Sequence, residues 1–301
     1  MRQVIRRETS VVLCGRVAQG PSQWVNRPPV KGCDHGCDLA TAWRAHVVTG
    51  WEQLAVLAAG FGAGVLTSTV GVATLLSFPV LVAVGLPPVV ANVSNTVGLT
   101  PGALSGSFGY RAELREHPRV AVTVIATCGL GAVAGAVLLL ALPAAVFESV
   151  VPWLILFTCL LVGAQPWLSR WLRSRGDGAP PPRRTRLSSV TTAFAALTGV
   201  YGGYFGAGSG VMMMAVLGLG ADLEFRIVNA LKTLAVLASN LVSGLIFVLV
   251  ADVSWPVVGL LAVSSVVGGY VGARIGRRLP PTLLRVGIVL AGVTAAVTML
   301  T

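Results

Sequence analysis

Charge is what this sequence has least of. Only 11% of its residues are charged, against roughly 25% in a soluble domain, too few to coat a water-facing surface. Lysine is nearly missing: all but two of the 22 basic residues are arginine, the exceptions being Lys31 and Lys232. Acids are scarce, and those of the second half (Asp222, Glu224 and Asp252) fall at expected loops rather than inside apolar segments. That distribution argues against a carboxylate proton relay. Histidine stops at His117, and neither H-E-x-x-H nor G-x-S-x-G occurs. Ser209 therefore lacks a histidine partner in its own half, and no catalytic residues are assigned. Cysteine forms no disulfide framework: Cys128 and Cys159 sit in apolar segments and read as small core residues. Cys33, His35 and Cys37 look like half a metal site, but no second Cys/His pair closes it. The expectation is no metal and no cofactor.

What the chain does have is apolar length. Hydrophobic residues make up 54%, mean hydropathy is +0.80, and no charge lies between Glu52 and Arg111. A spanning helix needs about 20 apolar residues, so a polytopic all-α membrane protein is expected. About ten segments are legible: 54–70, 72–85, 88–108, 119–141, 149–168, 189–205, 207–220, 226–250, 254–273 and 284–300. The net charge of +11 does not form a stripe. It lies in clusters between segments (Arg111, Arg115 and Arg119; Arg170 to Arg186; Arg274, Arg277, Arg278 and Arg285), as cytoplasmic loops of a plasma-membrane protein would carry it. Nucleic acid is excluded as a partner; the lipid bilayer is implied. Residues 1–53 read as a disordered basic tail or an upstream start, and 169–188, rich in Pro and Arg, as a cytoplasmic linker.

The linker separates two similar halves, 54–168 and 189–301. Ala63-Gly64-Val65 matches Thr198-Gly199-Val200; Gly71 then matches Gly206, and Asn95-Thr96-Val97 matches Asn229-Ala230-Leu231. Five segments per half is an odd number, so the second copy is expected upside down, with every basic loop on one side. The tail, with its own arginines, conflicts with that count by falling outside. The fold expected is thus an inverted repeat of two five-segment units whose first helices are broken or re-entrant.

Glycines mark the breaks. Residues 60–71 and 199–210 are glycine-rich, Pro79 is expected to interrupt the next span, and paired short segments in two halves point to a transport site. Gly206, Gly208 and Ser209 fall at such a break, where exposed N–H groups can hold an anion. Gly98, Gly102 and Gly106, like Gly268, Gly272 and Gly276, recur every four residues and read as packing seams. Asn92 and Asn95 share a helix face, as do Asn229, Lys232 and Asn240. Two readings stand for these polar residues: substrate contacts, or bridges between helices worth about 0.6 kcal/mol. Lys232 likewise either snorkels to the interface or lies deep and meets an oxyanion.

These pieces resemble the sulfite exporter TauE/SafE family. The likeness is carried by Ser77-Phe78-Pro79-Val80-Leu81, Leu86-Pro87-Pro88, Ala91-Asn92-Val93-Ser94-Asn95-Thr96 and Gly109-Tyr110-Arg111. In the second half it rests on Gly202 to Gly210 and Asn229-Ala230-Leu231-Lys232. In the first half the glycine cluster is thinned to Gly71-Val72-Ala73-Thr74. The resemblance implies an inverted-repeat transporter exporting sulfite, sulfonates or related anions. The expected function is a secondary transporter of a small anion. The candidate substrate residues are Asn92, Asn95, Thr96, Gly206, Gly208, Ser209, Asn229, Lys232 and Asn240. A membrane-embedded enzyme and a scaffold subunit are the alternatives, and a homo-oligomer is left open.

Overall fold

A computed structural model describes residues 50–175, 187–221 and 223–275, together with 289–290, 292–294 and 296–297. The basic tail, the Cys33–Cys37 motif, most of the linker, Gly276 and much of the last expected segment lie outside the described residues. Among the described residues there are ten helices and no strand. They are α1 (Trp51–Thr69), α2 (Ala73–Ala83), α3 (Pro88–Gly109), α4 (Arg111–Glu116), α5 (Pro118–Ala141), α6 (Ala144–Arg175), α7 (Ser189–Tyr204), α8 (Ser209–Gly220), α9 (Phe225–Val250) and α10 (Trp255–Ile275).

Local sequence accounts for several boundaries. Pro88 and Pro118 open α3 and α5, where a missing N–H costs nothing because the first amides of a helix have no intrahelical acceptor. Pro79 does not interrupt its segment; it lies within α2, as proline can in lipid when neighbours re-satisfy the backbone. Helix α6 begins before residue 149 and runs past 168, and the short, charged α4 lies outside the segments that hydropathy marks.

Among the described residues four helices are long and apolar enough to cross a membrane: Pro118–Ala141, Ala144–Trp167, Phe225–Val250 and Trp255–Arg274. Helices α2 and α8, with 11 and 12 residues, are each about 17–18 Å long, little more than half the hydrocarbon thickness. The outer surface is apolar. Leu130, Leu160 and Leu249 are 70–75% exposed, a surface that suits acyl chains rather than water. Exposed Trp51, Trp153, Trp167 and Trp255 supply the amphipathic rings typical of the headgroup level.

Glycine contacts give the helix directions. Along α1 and α10, Gly60 lies against Leu261, Gly64 against Gly268 and Val65 against Gly272, so the two run parallel. Gly98 and Gly102 of α3 meet Leu261 and Ser265 of the same helix in the same order. A second parallel group mirrors the first: Cys128, Ala132 and Gly135 of α5 meet Gly199, Gly203 and Tyr204 of α7. Helix α9 packs on α5 and also on α3. It crosses α3 antiparallel, with Thr233 near Gly106 and Gly244 near Val97. Each group thus holds the first and third helices of one half and the fourth of the other. The ends of α3 and α10 and the starts of α5 and α9 gather at one end of the bundle. There Arg226 makes a bidentate pair with Glu116, 2.7 and 2.8 Å.

The parallel contacts are close enough to test. A Cβ on Gly203 would meet the Ala132 backbone, which cannot rotate away, whereas one on exposed Gly259 would meet nothing. Gly203→Val is expected to lower the melting temperature in detergent by roughly 4–10 °C, the effect of overpacking a core by a few kcal/mol. Gly259→Ala should leave it unchanged or slightly higher. Equal melting of the two variants would show that the α5–α7 contact is not tight.

Candidate functional site

Helices α1 and α7 stop where a glycine can take a positive φ. Gly71 (φ 86°) and Gly206 (φ 80°), which the two halves align, follow the same ending. Val70 and Gly71 both donate their N–H to Leu66 O, and Phe205 and Gly206 both donate to Tyr201 O. This left-handed ending bends the chain sharply, so α2 and α8 begin within a few residues. The breaks touch: a Cβ on Gly71 would lie 3.0 Å from Gly210 Cα and 3.2 Å from Lys232 Cδ.

A helix that ends inside the protein leaves carbonyls without intrahelical donors, and side chains from other elements fill the gap. At the first break Lys232 Nζ donates to Thr69 O (3.0 Å) and Gln165 Nε2 to Val70 O (3.3 Å). At the second, Asn92 Nδ2 donates to Tyr204 O (3.0 Å), and the single Thr158 hydroxyl proton is shared between Ala207 O (3.1 Å) and Leu154 O of its own helix (2.8 Å). The arrangement repeats across the halves. Each third helix sends an N–H to the last residue of the opposite half's first helix, and α6 supplies a second donor to both breaks. The helices that follow the breaks, α2 and α8, start at this buried junction, and a helix start carries partial positive charge.

Lys232 is wholly buried, so its stem does not carry the amine to the interface. Its Nζ also donates to Asn229 Oδ1 at 2.6 Å. Asn229 Nδ2 in turn donates to Tyr110 Oη (3.0 Å), and Tyr110 donates to Ser68 O (3.1 Å). Asn95 is fully buried and donates to Thr74 Oγ1 at 3.3 Å, which is 3.8 Å from where a Cβ on Gly206 would stand. Ser209 Oγ donates to Gly206 O (3.0 Å), closing the second break on itself. Asn92 Oδ1, Asn95 Oδ1 and Gln165 Oε1 are buried acceptors with no hydrogen-bond partner among the described residues. An ordered water or a ligand hydroxyl would satisfy such groups.

The sequence-predicted residues thus divide. Asn229 and Lys232 bond at the first break, Asn92, Gly206 and Ser209 at the second, and Asn95 reaches Thr74 at the start of α2. Thr96 bonds back to Asn92 O on its own helix (2.9 Å). Asn240 lies about 12 Å farther along α9 than Lys232, where its carbonyl accepts Thr100 Oγ1 from α3. Gly208 has φ 74°, and a side chain there would strike Thr158 Cγ2, so any effect of bulk runs through that threonine. Sequence reasoning missed Gln165, Thr158, Thr74 and Tyr110. Gln165 had a visible signal, an amide near the end of an otherwise apolar run, and Tyr110 stood in the Gly109-Tyr110-Arg111 piece that carries the family resemblance.

Comparison with known proteins finds a match to the family model "Sulfite exporter TauE/SafE" over residues 56–299. A "Probable membrane transporter protein" of Haemophilus influenzae is 29% identical over 247 residues, covering 80% of this chain and 92% of that one. "Probable membrane transporter protein ORF9" of a Sinorhizobium species is 25% identical over 244 residues, covering 80% and 90%. No solved structure matches.

The donors from α6 are open to test. Gln165→Leu and Thr158→Val each leave a buried carbonyl at a break without its side-chain donor, at a cost of about 1–3 kcal/mol. Each should lower the melting temperature in detergent by roughly 3–10 °C. Melting at the wild-type temperature in both variants would show that the breaks do not depend on these donors.

Proposed function

Because the chain belongs to the sulfite exporter TauE/SafE family of membrane transporters, we propose that it exports a small sulfur-containing anion, such as sulfite or an organosulfonate, by alternating access. The single observation that carries this reading is the junction of the two breaks. Two helix N-termini and a buried lysine converge where an anion can be held without bulk water. Helix N-termini bind anions through their unpaired N–H groups and dipoles. A lysine buried at bilayer depth costs about 2.5–3.5 kcal/mol, which an anionic ligand offsets. Asn95, Asn229 and Ser209 stand beside the junction and supply orienting hydrogen bonds.

The packing supports an inverted repeat and suggests how access alternates. Helices α1, α3 and α10 form one parallel group, and α5, α7 and α9 the other. The α3–α9 crossing joins them beside the site. Rocking of one group against the other opens the junction first to one side and then to the other. The end that gathers Arg111, Arg226 and Arg274 is placed in the cytoplasm by the positive-inside rule, in the plasma membrane.

Two measurements check this. Lys232→Gln keeps much of the stem but removes the charge, and counterflow of sulfite into liposomes should show apparent affinity falling tenfold or more. Lys232→Arg keeps the charge but must fit its planar fork under Gly71, so it should retain only part of the activity. An unchanged affinity in Lys232→Gln would remove the lysine from the site. Single cysteines at Gly176 and Asp252 should label from opposite sides of the membrane; labelling from the same side would sink the inverted repeat.

A further inference from the structure

Away from the junction, the ends of α3 and α10 enclose a cavity of about 500 Å³ lined by Phe108, Gly109, Arg111, Tyr270, Ala273 and Arg274. That volume falls within the range of small-molecule sites, about 300–1,000 Å³. Its two cations are held alike. The Arg111 guanidinium carbon sits 4.7 Å from the Phe108 ring centroid, and that of Arg274 sits 4.8 Å from the Tyr270 centroid. Stacking fixes the plane of a guanidinium and leaves its N–H edges to address an oxyanion. Arg111 Nη1 also donates to Phe108 O at 3.4 Å. The helices are tied a turn below by Ser105 Oγ donating to Val266 O (3.2 Å), so the two arginines have a common base.

The surroundings decide which oxyanion. Below the arginines α3 exposes Leu104 and Phe108, and α10 exposes Val263, Val267 and Tyr270, all more than half exposed. A cationic mouth therefore opens on to an apolar outer face, at the end of the bundle where the chain meets the headgroup region. A free anion gains nothing from that face, but a lipid matches both parts, its phosphate in the mouth and its acyl chains along the groove. We propose that this cleft is a specific site for an anionic phospholipid, with Arg111 and Arg274 clasping the headgroup phosphate from two helices. Lipid held there would pin α3 to α10 within one parallel group.

The test uses full-length protein in detergent, titrated with dioleoylphosphatidylglycerol or dioleoylphosphatidylcholine and followed by native mass spectrometry. Phosphatidylglycerol should bind at least tenfold more tightly than phosphatidylcholine. Arg111→Gln with Arg274→Gln should remove that preference, since each interfacial arginine contributes several-fold to anionic-lipid affinity. Arg111→Lys with Arg274→Lys keeps the charge without the stacked fork, and should fall between the two. The lysine pair decides the matter if the glutamine pair does not fold. Excess inorganic phosphate should leave the lipid adduct intact. A preference undiminished in well-folded variants, or lipid displaced by inorganic phosphate, would overturn the proposal; the second outcome would make the cleft a soluble-anion site.

Discussion

Everything at the centre of this protein depends on one constraint: a backbone interrupted inside an apolar medium must have its polar groups satisfied from elsewhere. An unpaired group in hydrocarbon costs several kcal/mol. Helices α1 and α7 both end in the interior, so each exposes carbonyls that water cannot solvate. Lys232, Gln165, Asn92 and Thr158 exist at their positions, in physical terms, to donate to those carbonyls. The same donors bind the two halves together, because Lys232 and Asn92 each reach across to the other half.

This solution makes an asymmetric electrostatic environment. The carbonyl ends of α1 and α7 are covered by side-chain donors, and the starts of α2 and α8, which carry partial positive charge, follow within a few residues. Under the proposed function, structural need and anion affinity have the same origin. A lysine that stabilises a broken helix also places a cation beside two positive helix poles. On that proposal its removal would affect both roles, which is why a graded series at Lys232 carries more information than deletion of the charge alone.

The glycines serve two different purposes, which their spacing in the sequence already distinguishes. Gly98, Gly102, Gly268 and Gly272 bring helix backbones together, where any side chain would meet the neighbouring helix. Gly71 and Gly206 take a positive φ that an L-residue adopts at a cost of about 1–2 kcal/mol. Gly208 shares that conformation, but it packs on Thr158 and helps set the second break rather than facing open space.

Hydropathy and the shortage of charge determined by themselves that this chain is a helical membrane protein, because apolar length has few other uses. The ordered pieces that contain Asn92, Asn95 and Lys232 made the family legible, and anchors such as Gly71 with Gly206 and Asn95 with Asn229 carry the proposed duplication. Lys232 stood out as the one lysine beyond the tail, so its importance could be read from composition. Its partners could not. Thr69 O and Asn229 Oδ1 are acceptors only because α1 happens to end beside α9, and a helix end carries no sequence code for who covers it. Gln165, Thr158 and Tyr110 are ordinary polar residues until long-range packing aims them at a break or at Asn229. The arginines of the α3–α10 cleft are far apart in the chain and read singly as loop charges. Sequence fixes which residues can donate or accept; the approach of distant helices decides which of them ever meet.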